Sequence, residues 1–394
     1  MTSPRTVAVF TGNRAEYGLQ FPILRAVAAD PRLGYRLLAG GAHLQEDFGK
    51  TLDEITADGF EVHARVDFTM DRDTLLATAQ AIGSGILSLS VALDELRPDW
   101  LIVYGDRFES MAAMITGTQM GIATAHVEGG DYTEGGALDD SVRHAMTKLA
   151  HVHFATNAAA AERILRLGEE PWRVHTVGLP SLDLVAAGDY TAPDKVLKDL
   201  ELDSARPVLL FCQHSVATEA EDAAAQITPS LQALKRLVAE GFQAVVTYPN
   251  TDAGGRRMIE EIERLSGTPE VRIVKSLGRR RFLGVLNVIG RLGRGALVGN
   301  SSAGIKETPI FGCPVVNIGP RQRGRLRGDN VLDVPYDAAA IEAAVRRCVD
   351  DEGFRARCRE GRDPYGAGDA GRRVAEVLAT TPVDRTLLQK KMTY

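Results

Sequence analysis

Acidic residues follow several apolar runs of the sequence, at points where buried strands would end. Asp106 follows "WLIVYG", Glu128 and Asp131 lie in "HVEGGD" at the end of the next run, and Asp139 and Asp140 lie in "ALDDSVRHAM". Carboxylates transfer protons when burial and neighbouring charges move their pKa values apart. These carboxylates are therefore candidates for acid/base catalysis. Either Asp139 or Asp140 can instead be a simple helix N-cap.

A second group has the residue types that bind phosphate. The stretch "GNSSAG", residues 299–304, follows an apolar run and places Ser301 and Ser302 between glycines. Glycines let oxygens approach the backbone closely, a helix N-terminus favours negative charge, and hydroxyls add neutral donors. The stretch predicts a metal-free phosphate cradle, because the Walker pattern GxxxxGK[ST] is missing. A plain strand-to-helix turn is the alternative.

Basic residues at other strand ends can meet the same anion. Arg14 lies in "TGNRAEYG", His214 in "FCQHS", and Arg321 in "GPRQRGRLRG". A guanidinium presents a planar fork of donors that fits a phosphate. The alternatives are a surface pair of Arg14 with Glu16, a structural histidine and a solvated basic turn. Since "TGNRAEYG" is not GxGxxG, a dinucleotide-binding fingerprint is not supported.

Short apolar runs alternate with amphipathic stretches rich in alanine and leucine. Six such runs precede Pro180, and six more begin after residue 205. This alternation predicts the α/β class, with two Rossmann-like halves built on parallel sheets and a boundary near residues 185–205. Ligands bind at the carboxyl ends of the strands in such sheets, which is where the candidate residues lie.

Length and composition agree with this division and exclude some classes of protein. A chain of 394 residues exceeds the usual size of one hydrophobic core, so two domains are expected. The net charge of −6 argues against nucleic-acid or anionic-membrane binding as the main activity. We find no signal-peptide pattern and no run of about 18 apolar residues. Four cysteines without CxxC spacing predict buried thiols, no metal site and a cytoplasmic location.

Several motifs, in this order, resemble the hydrolysing UDP-N-acetylglucosamine 2-epimerase family: "TGNRAEYG", "VYGDRFES", "HVEGGD", "DDSVRHAMTKLAH", "YPNTDAG" and "GNSSAGIKE" with "FGCPVVNIGPRQRGR". The resemblance implies the GT-B fold, two Rossmann-like domains with parallel sheets and the substrate in an interdomain cleft. It implies an N-terminal domain over residues 1–190, a nucleotide-binding domain over 191–365, and a C-terminal helix over 366–394 that crosses back to the first domain.

The resemblance also implies a reaction without metal or cofactor. UDP-N-acetylglucosamine, or a related UDP or GDP 2-acetamido sugar, reacts with water to give the free 2-epimer, of the N-acetylmannosamine type, and the nucleoside diphosphate. This would be the entry step to sialic-acid-type sugars, and a homodimer or homotetramer is expected. Matched motif by motif, the acid/base residues are Asp106, Glu128 and Asp139; the diphosphate contacts are Arg14, His214, Ser301 and Ser302; Glu307 contacts the ribose; His43, Arg107 and Asn250 are sugar-side or cleft contacts; and Arg321 lies in a closing loop.

Other functions share part of this pattern. A non-hydrolysing 2-epimerase would have the same fold and intermediate, although its first motif usually carries proline where this chain has Ala15. A GT-B glycosyltransferase shares the diphosphate cradle but needs a pocket for an acceptor. A nucleotide-sugar sensor would bind without turnover, and the cluster of carboxylates argues against that class.

Overall fold

The computed structural model describes residues 3–45, 51–70, 72, 74–132, 137–250, 252–361, 363–366 and 368–394. The chain divides into two compact units. The first comprises residues up to Tyr132, Leu138–Ala187 and Tyr365–Tyr394, and the second comprises Gly188–Pro364. Each unit has its own parallel sheet flanked by helices, so the predicted α/β class with two parallel sheets is confirmed.

The first unit is built on seven parallel strands in the order β3-β2-β1-β4-β5-β6-β7. They are β1 (Arg5–Thr11), β2 (Leu33–Gly40), β3 (Val62–Val66), β4 (Trp100–Tyr104), β5 (Ala123–Val127), β6 (Val152–Ala155) and β7 (Val174–Thr176). Six of these strands match predicted apolar runs. No apolar run predicted β3, because this edge strand, "VHARV", is mostly half-buried.

Helices cover this sheet and include the last described segment of the chain. They are α1 (Arg14–Ala29), α2 (Thr51–Ala57), α3 (Leu75–Leu96), α4 (Phe108–Gln119), α5 (Ala137–Leu149), α6 (Ala158–Arg166), α7 (Leu182–Ala186), α15 (Ala370–Thr380) and α16 (Arg385–Leu388), with short 3-10 helices at Gly41–Leu44 and Pro171–Arg173.

The second unit has six parallel strands in the order β10-β9-β8-β11-β12-β13. They are β8 (Val208–Cys212), β9 (Gln243–Thr247), β10 (Val271–Val274), β11 (Gly295–Gly299), β12 (Val315–Ile318) and β13 (Val331–Val334). Its helices are α8 (Pro193–Asp199), α9 (Ala223–Ala239), α10 (Gly255–Glu263), α11 (Gly278–Leu292), α12 (Ala303–Lys306), α13 (Ala338–Asp350) and α14 (Glu352–Glu360), with 3-10 helices at Ala217–Asp222 and Pro309–Phe311.

The central strands are buried on both faces. Every residue of β4, β5, β8, β9 and β11 is buried, which explains why these strands are continuous apolar runs in the sequence. In each unit the strand order reverses beside the first strand, between β1 and β4 and between β8 and β11. A crevice opens at the carboxyl ends of the strands at such a switch point, and ligands bind there.

One helix among the described residues, α3, is long and apolar enough to cross a membrane, with a mean hydropathy of 1.6. Its Ala81, Leu89 and Leu93 pack into the core of the first unit. A core helix of a globular protein passes the same test of length and composition, so α3 carries no membrane assignment.

Candidate functional site

A buried arginine organises the carboxylates of the first unit. Arg143 of α5 has a side chain only 1% exposed, and its guanidinium pairs with the carboxylates of Asp106 and Asp140. It also donates to the backbone oxygen of Asp131 at 3.0 Å. Burial alone would lower the pKa of Arg143, but Asp106, Asp131 and Asp140 together raise it. Arg143 is therefore a permanent positive charge that fixes the loop after β4 against α5.

The two neighbouring aspartates of α5 both lie near this arginine. Asp140 pairs with Arg143, which is three residues further along the helix. Asp139 precedes Arg143 by four residues, so it lies on the same face of the helix as the arginine. The assignment of Asp139, rather than Asp140, to proton transfer stays a prediction.

Glu128 lies immediately after β5 in an unusual backbone conformation. Its φ is +67°, in the left-handed region that non-glycine residues seldom adopt, and the residue is only 8% exposed. Its N–H donates to the Phe154 oxygen of the neighbouring strand at 3.0 Å. A buried carboxylate on strained backbone costs stability, and such residues cluster at functional sites. The geometry therefore favours a functional role for Glu128.

The loops after β4 and β5 are joined through a buried histidine. His126 donates from Nε2 to the Gly105 oxygen at 2.7 Å, and its Nδ1 lies 3.3 Å from the Thr147 hydroxyl of α5. Burial lowers the pKa of His126 to about 3, so the ring is neutral. A Cβ at Gly129 would lie 2.9 Å from Nδ1 of this ring, which requires glycine in "HVEGGD". Asp106 and Glu128 thus leave the sheet on rigid, mutually connected loops.

The loop after β1 is fixed by the start of α1. Asn13 caps the helix by accepting the N–H of Glu16 at 3.0 Å, and Arg14 is the first helical residue. The Glu16 carboxylate does not lie at the surface: it is 3% exposed, and it accepts the N–H of Gly12 at 2.9 Å and the Ser110 hydroxyl at 3.3 Å. This buried position excludes a surface pair of Arg14 with Glu16.

We expect Glu16 to make stability depend on pH. Burial raises its pKa to about 8, against the Gly12 hydrogen bond, which favours the charged form. Between about pH 4.5 and pH 8 the folded protein holds a proton that the unfolded chain releases, so stability falls as pH rises through this window. The Glu16→Gln variant, which imitates the protonated acid, should lose this slope.

Urea unfolding at pH 5.5 and pH 8.5 checks this expectation, and Glu162→Gln provides the control because that side chain is 61% exposed. An unchanged difference between the two midpoints in Glu16→Gln would show that this carboxyl is not the titrating group.

Arg107 and His43 lie beside this buried acid and are both tightly bound. Arg107 pairs with Glu109 through Nε at 3.1 Å and through a terminal nitrogen at 3.2 Å. His43 is 2% exposed; its Nε2 lies 3.0 Å from the Thr11 hydroxyl and its Nδ1 lies 2.8 Å from that of Thr51. Burial lowers the pKa of His43 to about 4. A neutral His43 contacts a sugar only by exchanging one of these hydroxyl partners.

In the second unit, Asn300 joins three strand-end loops. Its side chain accepts the N–H of His214 at 2.7 Å and donates to the oxygen of His214 at 2.8 Å. Its backbone oxygen accepts from Gln322 at 2.8 Å and from Arg321 at 3.2 Å. Asn300 therefore fixes the loop after β8, the "GNSSAG" loop after β11 and the loop after β12 in one arrangement.

The ring of His214 has a defined tautomer. Its Nδ1 accepts the backbone N–H of Asn250 at 3.1 Å, so a neutral ring carries its proton on Nε2. That nitrogen lies 3.5 Å from the thiol of Cys212. A polarised N–H at the end of β8, beside the switch point, is a suitable donor to an anionic oxygen.

The "GNSSAG" loop differs from the prediction in one respect. The helix that follows, α12, has only four residues and ends at Lys306, with Glu307 as its C-cap. A single turn sums few peptide dipoles, so the helix-dipole part of the argument contributes little. Gly299 has φ +139°, and a Cβ there would lie 2.1 Å from the Cys212 oxygen, so this glycine brings the loop close to β8.

The serine hydroxyls of this loop remain the predicted anion-binding groups. Ser302 precedes α12, and within the described residues its hydroxyl makes no capping hydrogen bond to that helix. Ser301 is 8% exposed, with its hydroxyl 3.4 Å from the Ala303 N–H. The roles of Ser301, Ser302, Glu307 and Arg321 toward a nucleotide stay predictions.

Sequence reasoning did not identify the residues that connect the predicted ones. Arg143 lies in "DDSVRHAM", but its bridging role depends on burial that one sequence does not show. Asn300 lies inside "GNSSAG", where the paired serines dominated the interpretation. The i, i+3 spacing of Asp140 and Arg143 was the available signal for the first of these contacts.

The described residues contain no group of three or more His, Cys, Asp or Glu side chains that could hold a metal ion. All four cysteines are buried free thiols. Burial raises the pKa of Cys358 to about 11 and those of Cys313 and Cys348 still further above the ordinary value. Cys313, Cys348 and Cys358 are therefore protonated and unreactive.

A family model for UDP-N-acetylglucosamine 2-epimerase matches residues 25–379. The chain is 31% identical over 391 residues to a UDP-N,N'-diacetylbacillosamine 2-epimerase (hydrolyzing) of Legionella pneumophila, covering 99% of this chain and 100% of the relative. It is 28% identical to a GDP/UDP-N,N'-diacetylbacillosamine 2-epimerase (hydrolyzing) of Campylobacter jejuni, covering 84% of each chain.

The structure is similar to that of the UDP-GlcNAc 2-epimerase from Neisseria meningitidis bound to UDP-GlcNAc. The TM-score is 0.78 at 17% identity, covering 95% of this chain and 99% of the other. This likeness confirms the predicted GT-B fold class.

Proposed function

The chain belongs to the UDP-N-acetylglucosamine 2-epimerase family, and from this premise we propose that it is a hydrolysing 2-epimerase of a nucleoside-diphosphate 2-acetamido sugar. The observation that carries the proposal is a set of carboxylates at the ends of neighbouring strands of the first unit: Asp106 follows β4 and pairs with the buried Arg143, and the strained, buried Glu128 follows β5. The names of the Legionella and Campylobacter relatives support hydrolysis and a 2,4-diacetamido sugar on UDP or GDP.

The first half of the proposed reaction is an elimination. A carboxylate takes the proton from C2 of the sugar, the electrons of the C2–H bond form the C1–C2 double bond, and the C1–O bond breaks. Its electrons leave on the β-phosphate, which gives a 2-acetamidoglucal and the nucleoside diphosphate. Because the C2 proton is not acidic, breaking of the C1–O bond must lead. Fixed donors around the leaving phosphate stabilise the charge that develops there.

The second half is an addition from the opposite face. The oxygen of water bonds to C1, C2 receives a proton on the face opposite to the one that lost it, and a carboxylate accepts the proton that water releases. The sum is nucleotide sugar plus water giving free 2-epimer plus nucleoside diphosphate. Two proton transfers on opposite faces need more than one acid/base group, and Asp106, Glu128 and Asp139 are the proposed set.

The proposed diphosphate donors are Arg14, His214 and the serines of "GNSSAG". Two features of His214 support this assignment: its ring carries a proton on Nε2, and the Asn300 side chain binds both its backbone N–H and its backbone oxygen. A donor that is fixed before the reaction needs no reorganisation when charge develops on the phosphate. We retain Glu307 as the ribose contact, His43, Arg107 and Asn250 as sugar-side or cleft contacts, and Arg321 as part of a closing loop.

Product analysis tests the proposed function. The protein is incubated in D2O with a panel of UDP and GDP 2-acetamido sugars, and products are read by NMR and mass. Hydrolysis predicts free nucleoside diphosphate and free sugar in equal amounts, with C2 inverted and carrying deuterium. An epimer still bound to its nucleotide would instead identify a non-hydrolysing enzyme. Release that rises with an added sugar acceptor would identify a glycosyltransferase.

We expect Ser302→Ala to weaken nucleotide binding. The lost hydroxyl donor removes about 1 kcal/mol, so the Kd for UDP should rise about five-fold. Calorimetric titration with UDP measures this, and Ser266→Ala is the matched control because that serine of the same unit is exposed. Equal UDP affinity in the two variants would contradict the phosphate-cradle assignment.

Four further predictions belong to the proposed function. The domain assignment of 1–190, 191–365 and 366–394 is supported by the compact units, whose divisions follow Ala187 and Pro364. Cytoplasmic location is supported by four free buried thiols. A homodimer or homotetramer rests on the family resemblance, as does service to a sialic-acid-type pathway.

A further inference from the structure

Helix α5, which carries Asp139, ends beside the C-terminal tail of the chain, residues 385–394. An α-helix leaves its last four carbonyl groups without partners inside the helix. In α5, the oxygen of Met146 accepts the Ala150 N–H at 2.9 Å, and the oxygen of Leu149 lies 3.4 Å from the Thr118 hydroxyl. The two remaining carbonyls belong to Thr147 and Lys148.

These two carbonyls are bound by a lysine about 240 residues further along the chain. The ammonium of Lys390 donates to the oxygens of Thr147 at 3.3 Å and Lys148 at 2.8 Å. It also donates to the oxygen of Ala150, just past the helix, at 2.7 Å. The helix dipole favours a cation at the C-terminal end of a helix. The single ammonium group of Lys390 therefore supplies the hydrogen bonds that the Thr147 and Lys148 carbonyls lack within the helix.

Lys148 of α5 does not bind these carbonyls with its own side chain, which contacts the loop after α6 instead. The ammonium of Lys148 donates to the oxygen of Leu167 at 3.1 Å and to Glu169 at 2.6 Å. Glu169 is fully buried, and it also pairs with Lys390 at 2.7 Å and with His153 at 3.0 Å. The Glu169 carboxylate therefore holds both ammonium groups in place.

The tail is attached on either side of Lys390. Arg173, which is fully buried, donates to the oxygens of Leu387 at 2.7 Å and Thr386 at 2.8 Å. Beyond the lysine, the ring of Tyr394 packs on Gly168. The tail is thus a fixed part of the first unit, and Lys390 is its contact with the end of α5.

The end of α5 that Lys390 binds is also connected to the loop that carries Asp106. The Thr147 hydroxyl approaches His126, and His126 donates to the oxygen of Gly105, the residue before Asp106. At 1.5 Å per residue, Asp139 lies only about 13 Å along α5 from Lys148. A shift at the C-terminal end of α5 therefore moves both Asp139 and the Arg143 pair.

We propose that Lys390 is a positioning residue for the acid/base site: by binding the last carbonyls of α5, the C-terminal tail fixes the helix that presents Asp139 and Arg143 to the loop of Asp106. Lys390 itself touches no substrate. The proposal rests on the function proposed above, because it assigns these side chains to the reaction.

The test compares Lys390→Met, Lys390→Arg and, as the matched control, Lys391→Met, whose side chain is exposed. A displaced acid/base group should lower kcat on the order of 10-fold to 100-fold in Lys390→Met, while KM and UDP affinity stay unchanged. Lys390→Arg should recover part of kcat because it keeps a cationic donor. Lys391→Met should match the wild type.

The pH profile supplies a readout that general loss of structure would not produce. Burial lowers the pKa of Lys390 to about 8. The charged or titratable groups that face it are Glu169, Lys148, His151, His153 and Arg173. Burial lowers the pKa of both histidines to about 4, and the hydrogen bonds of Glu169 to His153, Lys148 and Lys390 lower its pKa to about 2. Above neutral pH the histidines therefore stay neutral and Glu169 stays charged. Wild-type kcat should fall as pH rises past about 8, and Lys390→Arg should retain its activity over that range.

Hydrogen exchange separates failure of this proposal from failure of the proposed function. Amides of α5 should exchange faster in Lys390→Met than in Lys391→Met, whether or not a substrate is known. Wild-type protein without turnover on the nucleotide-sugar panel would contradict the proposed function alone. Equal exchange in the two variants, or faster exchange with unchanged kcat, would overturn the positioning role. If Lys390→Met does not fold, identical pH profiles for wild type and Lys390→Arg would also overturn it.

Discussion

Glu128→Gln should lose most turnover, about 10²-fold to 10⁴-fold in kcat, while UDP binds as in the wild type. The amide has nearly the shape of the carboxylate but cannot accept the C2 proton. The substitution leaves the second unit, which holds "GNSSAG" and His214, unaltered. Steady-state kinetics and UDP titration on the same preparation measure both quantities, and normal turnover would show that Glu128 is not an acid/base residue.

The strained backbone of Glu128 provides a second way to separate function from folding. Glycine adopts a φ of +67° without the penalty that a side chain incurs, so Glu128→Gly relieves strain at this position. We expect this variant to remain folded and to be as inactive as Glu128→Gln. If Glu128→Gly folds but is inactive, the carboxylate of Glu128 is needed for catalysis and not for folding.

The sequence located the strand ends well because two local signals coincide there. Buried parallel strands are continuous apolar runs, and the residues after them are glycines and polar groups that the turn and the ligand require. Asp106, Glu128 and His214 were found in this way, and the strands before them lie where the apolar runs predicted. Half-buried β3 has no such run and was missed.

Contacts between distant segments had no local signal. Asn300 binds His214, which lies 86 residues earlier in the chain, and Lys390 binds the end of α5 across about 240 residues. An exposed pair of Glu16 with Arg14 was an open alternative, because glutamate is usually exposed. Glu16 is instead buried, and the Ser110 hydroxyl of α4 donates to its carboxylate. Such pairs depend on tertiary packing, which periodicity and residue type do not encode.

The two aspartates of α5 should respond differently to the same change. Asp139→Asn should lower kcat about 10²-fold or more, because the carboxylate is assigned to proton transfer. Asp140→Asn should instead lower the free energy of unfolding by about 1–3 kcal/mol, because Arg143 loses one carboxylate while remaining buried. Each substitution replaces carboxylate by amide one residue apart on one helix, so each variant is the matched control for the other.

Thermal unfolding and steady-state kinetics of both variants give four numbers that decide the assignment. The reverse pattern, with Asp140→Asn inactive but stable, would make Asp140 the reacting group and Asp139 the structural one. Arg143 explains why the expected pattern has this direction: its guanidinium already binds Asp106, and pairing with Asp140 holds that aspartate's charge in a fixed contact. Asp140→Asn removes one of the carboxylates that bind this buried guanidinium, whereas Asp139 is the residue that the family motif assigns to proton transfer.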